Sequence, residues 1–238
     1  MQFKHIHVVG CGGTGSYLID PLLRLMSYHP NGCCNVTLYD GDEYEKKNNV
    51  RQIVGNDAID TNKAEATKNR ILQQIPNVNV NVVPYFIDED SFITYLLSEN
   101  TQEDKLHLIV MCVDNERARY DVIRAADHCN KKHGIDFAMV LPGNEYNTAQ
   151  CLWYVRKDDF LYSSHPFDNA YNWAHPTDKP RGSCQYEAVS TPQLLTANFA
   201  ASFMSLLVVE KLLNDQDLPY LLRYDSATMS ITTEGSFQ

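Results

Sequence analysis

The fold turns on one stretch, VVGCGGTGSYL, residues 8 to 18. Two valines run straight into Gly10, Gly12, Gly13 and Gly15, and beyond them Leu18, Ile19, Leu22, Leu23 and Met26 recur at helical spacing. That is strand, tight turn, helix. Gly10, Gly12 and Gly15 satisfy GxGxxG in the place where its mechanism requires it. Without Cβ atoms, backbone N–H groups at the positive end of the helix reach a phosphate closely. The phosphate of a dinucleotide and that of ATP are both candidates at this point.

Working outward, NVTLY at Asn35–Tyr39 predicts a second strand that ends on Asp40, an acid placed to accept from ribose hydroxyls. Asp60 or Thr61 is expected to cap a helix over Lys63–Gln74, and NVNVNVV at 77–83 alternates as a strand with its asparagines toward water. LHLIVMCV at 106–113 is nearly continuous in apolar residues, as a central parallel strand must be, and it stops at Asp114. A helix over 116–132 closing at Gly134 and a strand over 135–141 follow.

Strand and helix alternate up to about residue 142, which predicts a parallel sheet with right-handed crossovers. After that the pattern changes. A strand over 149–155 precedes a loop over 157–183, whose Phe160, Tyr162, Phe167, Tyr171 and Trp173 are expected to pack it down. A long helix starts near Pro192 and runs to about Leu213, and a terminal hairpin ends the chain. The expected class is α/β: a Rossmann-like three-layer fold, parallel in its first half and antiparallel or mixed in its second. A single domain over 1–238 is expected, with a nucleotide-binding half at 1–142 and a mixed-sheet extension at 143–238.

Composition narrows the partners. A net charge of −10 supplies no diffuse basic field for nucleic acid or an anionic membrane surface. No uninterrupted apolar run approaches the roughly 18 residues of a membrane span, so a cytoplasmic protein is expected. The seven cysteines form no CxxC pair, and no zinc is expected. Cys11 is expected to pack beneath the glycine loop and Cys112 in the core, and the eight histidines make no HExxH.

From Asp40 the chain continues DGDEYEKKNNVRQ, setting Asp42, Asn48, Arg51 and Gln52 just beyond the strand tip. A dinucleotide site needs little beyond its ribose acid, whereas a triphosphate needs cations near the glycines. Arg51 can fork onto phosphate oxygens and Lys63 can add a point charge. Asp114, followed by Asn115, is placed to hold Mg²⁺ across phosphate oxygens.

Taken in order, these residues resemble the ThiF/MoeB/HesA family, bacterial relatives of ubiquitin-activating enzymes. The family's GxGGxG is similar to Gly10 to Gly15 here, and its DxDxVExSNLxRQ to residues 40–52, with Asp40, Asp42, Glu45, Asn48, Arg51 and Gln52 retained and Tyr44, Lys47 and Asn49 departing. Its lysine is similar to Lys63 in DTNKAEA, and its DNxxxR to Asp114, Asn115 and Arg119.

The resemblance implies an adenylyltransferase that uses ATP and Mg²⁺ to activate the C-terminal carboxylate of a ubiquitin-like or sulfur-carrier protein as acyl-adenylate. Arg51 and Lys63 would neutralise phosphates, Asp114 would hold the metal, and Asp40, Asp42, Asn48, Gln52 and Asn115 with the glycines would bind nucleotide. Cys184 stands where many members carry a cysteine, sometimes one that takes the activated carboxyl, and a homodimer is implied. The family's N-terminal helix, whose arginine often reaches into the neighbouring subunit's site, has no counterpart before the first strand. Arg24 or Arg119 is then expected to meet that charge, or a partner supplies it. A catalytically silent nucleotide-binding scaffold is the alternative, and an NAD-dependent oxidoreductase a third, disfavoured because no YxxxK follows in the second half.

Overall fold

The computed structural model describes residues 1–75, 77–99, 105–158, 160–163 and 195–235. One sheet carries the described strands β1 Phe3–Val9, β2 Asn35–Tyr39, β3 Asn79–Val83, β4 Leu106–Met111, β5 Phe137–Asn144, β6 Thr148–Lys157, β7 Phe160–Tyr162, β8 Leu221–Asp225 and β9 Ser230–Glu234. Its order is β3-β2-β1-β4-β5-β6-β8-β9, with β7 paired to β6. The first five positions are parallel and the remaining pairings antiparallel. The described helices are α1 Gly13–Tyr28, α2 Lys63–Gln74, α3 Glu89–Ser98, α4 Glu116–His133 and α5 Leu195–Leu213.

Helices cover both faces, which is why β4 is buried throughout and, His107 apart, apolar rather than alternating. On one face Ile6, Val8, Leu38, Leu108 and Val110 meet α1, α2 and α5. On the other, Val9, Ile109, Met111 and Met139 meet Phe92 of α3 and Ile123 of α4. The chain runs outward from β1 through β2 to β3 and then returns to β4, so the crossovers part at the carboxyl ends of β1 and β4. Open α/β sheets bind their ligands in the crevice formed there.

The three-layer fold and its change from parallel to antiparallel are as expected, and four details differ. Asp60 takes a left-handed conformation, φ +63°, so neither it nor Thr61 caps α2. Asn62 does, accepting from the amides of Ala64 and Glu65 at 2.9 and 3.2 Å. Helix α3 was not anticipated, although Asp88 and Ser91 form a capping box at its start. Strand β4 ends at Met111, short of the expected 113. Part of the expected 157–183 loop is strand β7, and Phe167, Tyr171, Trp173 and Pro192 lie outside the described residues. Among the described helices α5 alone has the length and apolarity of a membrane span. It buries Ala197, Ala201, Met204 and Val208 in the core.

Candidate active site

The four glycines play two different parts. Gly10 has φ +98°, and a Cβ there would meet the backbone of Cys112 at 2.8 Å, while a Cβ on Gly15 would meet the Gly10 carbonyl at 2.2 Å. These two bring the loop hard against β4 and the start of α1. Gly12 and Gly13 face a cavity instead: beside Gly12 stands only the Gln52 amide at 3.7 Å, and beside Gly13 the Asn198 side chain at 3.0 Å. Helix α1 begins with no side-chain cap and no acid in its first turn, leaving its positive end toward that space.

Asp40, at the tip of β2, holds this loop in place. Its Oδ2 accepts from the Cys11 amide at 2.7 Å and its Oδ1 from the Asp42 amide at 2.9 Å. Burial raises its pKa above the ordinary carboxylate value, opposed by Lys63 and by those two amides. Each oxygen keeps a second lone pair for a ribose hydroxyl. Tyr44, one of the departures from the family pattern, is buried and donates its hydroxyl to the Cys11 carbonyl at 3.3 Å. Asn62 donates to the carbonyls of Asp40 and Asp42 at 2.8 and 3.2 Å, joining the start of α2 to the same turn.

That junction places Lys63, the first residue of α2, under the cavity wall. It is 3% exposed, and its Nζ donates to Asp42 Oδ2 at 2.9 Å. A lysine at the positive end of a helix and out of water is doubly unfavourable, so carboxylates are needed beside it, or a ligand's charge. Arg51, 8% exposed, borders the same cavity, and its guanidinium makes no hydrogen bond or ion pair among the described residues. Asp114 lies just past β4 with its carboxylate exposed and unpaired among the described residues. It does not cap α4. Asn115 does, accepting from the amides of Arg117 and Ala118 at 2.8 and 3.4 Å.

The cavity, about 1060 Å³, thus gathers Gly10, Gly12, Gly13, Asp40, Asp42, Arg51, Gln52, Lys63, Asp114 and Asn115. That volume lies at the upper end of small-molecule pockets, about 300–1,000 Å³. Asn48 is not among its lining residues: it is buried, and its Oδ1 accepts from the Glu45 amide at 2.8 Å, closing the turn that presents Arg51. Gly15 is likewise behind the loop. Arg24 points outward from α1 and does not reach the cavity. Arg119 does border it, but Nη2 is spent on the carbonyls of Val113 and Pro142, both at 2.5 Å. Cys112, expected in the core, is only partly buried and also borders the cavity. Burial pushes its thiol to about 12 and that of Cys11 well above the ordinary value, so neither is a ready nucleophile. Cys184 lies outside the described residues.

Sequence reasoning missed two groups. Asn198 of α5 and Asn144 of β5 meet at the cavity, the Asn144 amide donating to Asn198 Oδ1 at 2.6 Å. The available signal was a lone asparagine in the apolar helix LTANFAASFM. The second group is buried under α3: His7 Nε2 and His107 Nδ1 are 2.9 Å apart, His7 Nδ1 meets the Tyr39 hydroxyl at 2.8 Å, and His5 bonds Thr37 Oγ1 at 2.8 Å. The short His7–His107 contact spans 100 residues of sequence, so no local motif announces it. Among the described residues no group of three metal-ligating side chains stands at coordination spacing.

Known proteins agree with this architecture. The ThiF family model matches residues 1–235. Ubiquitin-like modifier-activating enzyme 5 of Caenorhabditis elegans is 29% identical over 136 residues, 56% of this chain and 30% of the relative. That of Caenorhabditis briggsae is 26% identical over 229 residues, 94% of this chain and 49% of the relative. The chain therefore spans half or less of these two relatives. Escherichia coli MccB, solved with ATP, superposes with a TM-score of 0.63 at 17% identity, covering 97% of this chain and 62% of MccB. It has also been solved with AMPCPP and MccA. The sequence match over nearly the whole length, on a fold with this site at its switch point, means that the chain belongs to the ThiF family.

Proposed function

We propose that this chain is an ATP-dependent adenylyltransferase that activates a C-terminal carboxylate of a ubiquitin-like or sulfur-carrier protein. One observation carries the reading: Lys63, Arg51 and Asp114 come from three separate segments and converge on the cavity that Gly12 and Gly13 leave open. Two cations and a free carboxylate around a helix N-terminus suit a triphosphate with its metal better than a dinucleotide. The relatives named for activating ubiquitin-like modifiers, and the MccB fold solved with ATP, support the same class.

In the reaction a carboxylate oxygen attacks the α-phosphorus, the bond to the β-phosphate bridge oxygen breaks, and pyrophosphate leaves. Arg51 and Lys63 would offset the charge on the phosphates, Lys63 by turning from Asp42. Asp40 would accept from the ribose hydroxyls while holding the loop. The chemistry is then chiefly positioning and charge stabilisation. Mg²⁺ commonly takes one or two carboxylates and completes its shell with phosphates and water, so the Asp114 carboxylate, exposed and unpaired among the described residues, fits an ion that arrives with the nucleotide. When bound, that ion would stabilise charge on the phosphate oxygens. Cys184 would take the acyl group from the adenylate as a thioester, releasing AMP. A homodimer belongs to this reading, supported by Phe199 and Phe203 of α5, which leave apolar area half exposed.

The test is ATP–pyrophosphate exchange in the presence of candidate carrier proteins or peptides with free C-termini. Exchange stimulated by one of them is the expected result. Measured ATP binding with no exchange under any carrier would instead leave a nucleotide-binding scaffold, and NAD binding without ATP binding would leave an oxidoreductase.

A further inference from the structure

Asn198 is 2% exposed and lies on a largely apolar stretch of α5. A buried amide keeps its place when its donors and acceptor are matched. The acceptor here is matched: Oδ1 takes the Asn144 amide at 2.6 Å. The donors are not, since Nδ2 is buried with no hydrogen-bond partner among the described residues.

The amide sits over the glycine loop, with Oδ1 3.0 Å and Nδ2 3.5 Å from where a Gly13 Cβ would stand. Helix α5 is held at that distance by Ser202, whose hydroxyl donates to the Thr14 carbonyl at 2.8 Å, and by the Tyr17 and Phe199 rings, 4.2 Å apart. Asn198 thus borders the cavity beside the uncapped start of α1, its Nδ2 closed off from solvent. The uncapped helix end and the unmatched amide of Asn198 therefore meet at Gly13. A group that satisfies both is an anion with several acceptor oxygens.

We infer that Asn198 is a phosphate-binding residue, its Nδ2 donating to a phosphate oxygen of the nucleotide seated on Gly12 and Gly13. This rests on the nucleotide reading above and extends the site to α5, with Asn144 orienting the amide. Helix α5 would then report to the loop whether the site is filled, because Ser202 and Asn198 lie one turn apart on the same face.

The experiment measures affinity for ATP and for adenosine, with melting of the ligand-free protein, in wild type, Asn198→Asp and Asn198→Leu. Asn198→Asp keeps the acceptor for Asn144 and removes the donors. Asn198→Leu removes both polar ends at similar volume, and if it fails to fold the Asp variant carries the test. ATP affinity should fall about tenfold or more in each folded variant, the scale of a lost bond to a charged group, with adenosine affinity held within about twofold. Wild-type ATP affinity in both variants, or an equal loss for ATP and adenosine, would overturn the assignment and leave a packing residue. Wild-type protein that binds no nucleotide would overturn the parent reading too, and that outcome is distinct because it appears before any substitution.

Discussion

Lys63 Nζ lies 2.9 Å from Asp42 Oδ2, a bond between a lysine buried to 3% exposure and a carboxylate left 46% exposed. The asymmetry makes the lysine the dependent partner. Lys63→Met, which keeps the volume and drops the charge, should lower pyrophosphate exchange by roughly a hundredfold or more while leaving stability nearly unchanged. Asp42→Asn should instead cost about 1 kcal/mol of stability, because half-exposed pairs are screened by water. Urea unfolding beside exchange assays separates the two.

Arg51 and Asp114 have no partners to lose among the described residues. Arg51→Ala and Asp114→Ala should therefore each reduce exchange by about a hundredfold or more with melting shifted by only about 2 °C. A collapse of folding in both would mark them as structural and remove them from the mechanism.

Arg119 is the contrasting case. Its guanidinium joins the end of β4 to β5 through the carbonyls of Val113 and Pro142, so Arg119→Ala strips two carbonyls of their donor. A loss of about 2–4 kcal/mol in unfolding free energy is expected. Loss of exchange without that destabilisation would mean that Arg119 acts on the phosphates directly.

The buried histidines make stability depend on acid. Burial lowers His5 to about 4 and His107 to about 3, and holds His7 well below its ordinary 6.5. A depressed folded-state value means that the unfolded chain binds more protons below pH 6.5, so stability is full above that pH and falls as acid is added. Between pH 6.5 and about 4, His107→Phe should show a shallower decline in unfolding free energy than wild type. Parallel profiles would place the acid sensitivity elsewhere.

Cys184→Ala should leave pyrophosphate exchange intact and abolish any thioester-linked carrier seen on non-reducing gels. An adduct that persists in the variant would clear Cys184 of the transfer step.

Local order along the chain was legible because it is written in neighbouring residues. The glycine loop after β1, the acid ending β2, the apolar run of β4 and the Gly134 cap with φ +64° all follow from spacing and backbone sterics. So did the shift to antiparallel strands in the second half. What escaped depended on contacts between distant segments. Asn62 rather than Asp60 caps α2 because it also answers the carbonyls of Asp40 and Asp42. Asn48 supports the cavity instead of lining it because its amide closes the turn before Arg51.

The sequence by itself determined the parallel half of the sheet and the residue types that could meet a phosphate, since periodicity and glycine placement act within a few residues. Only the tertiary structure decided which of them share the cavity, that Lys63 leans on Asp42, and that Asn198 arrives from 185 residues beyond Gly13. Hydrogen bonds and charges act over a few ångströms, and the path of the folded chain alone sets which groups come that close.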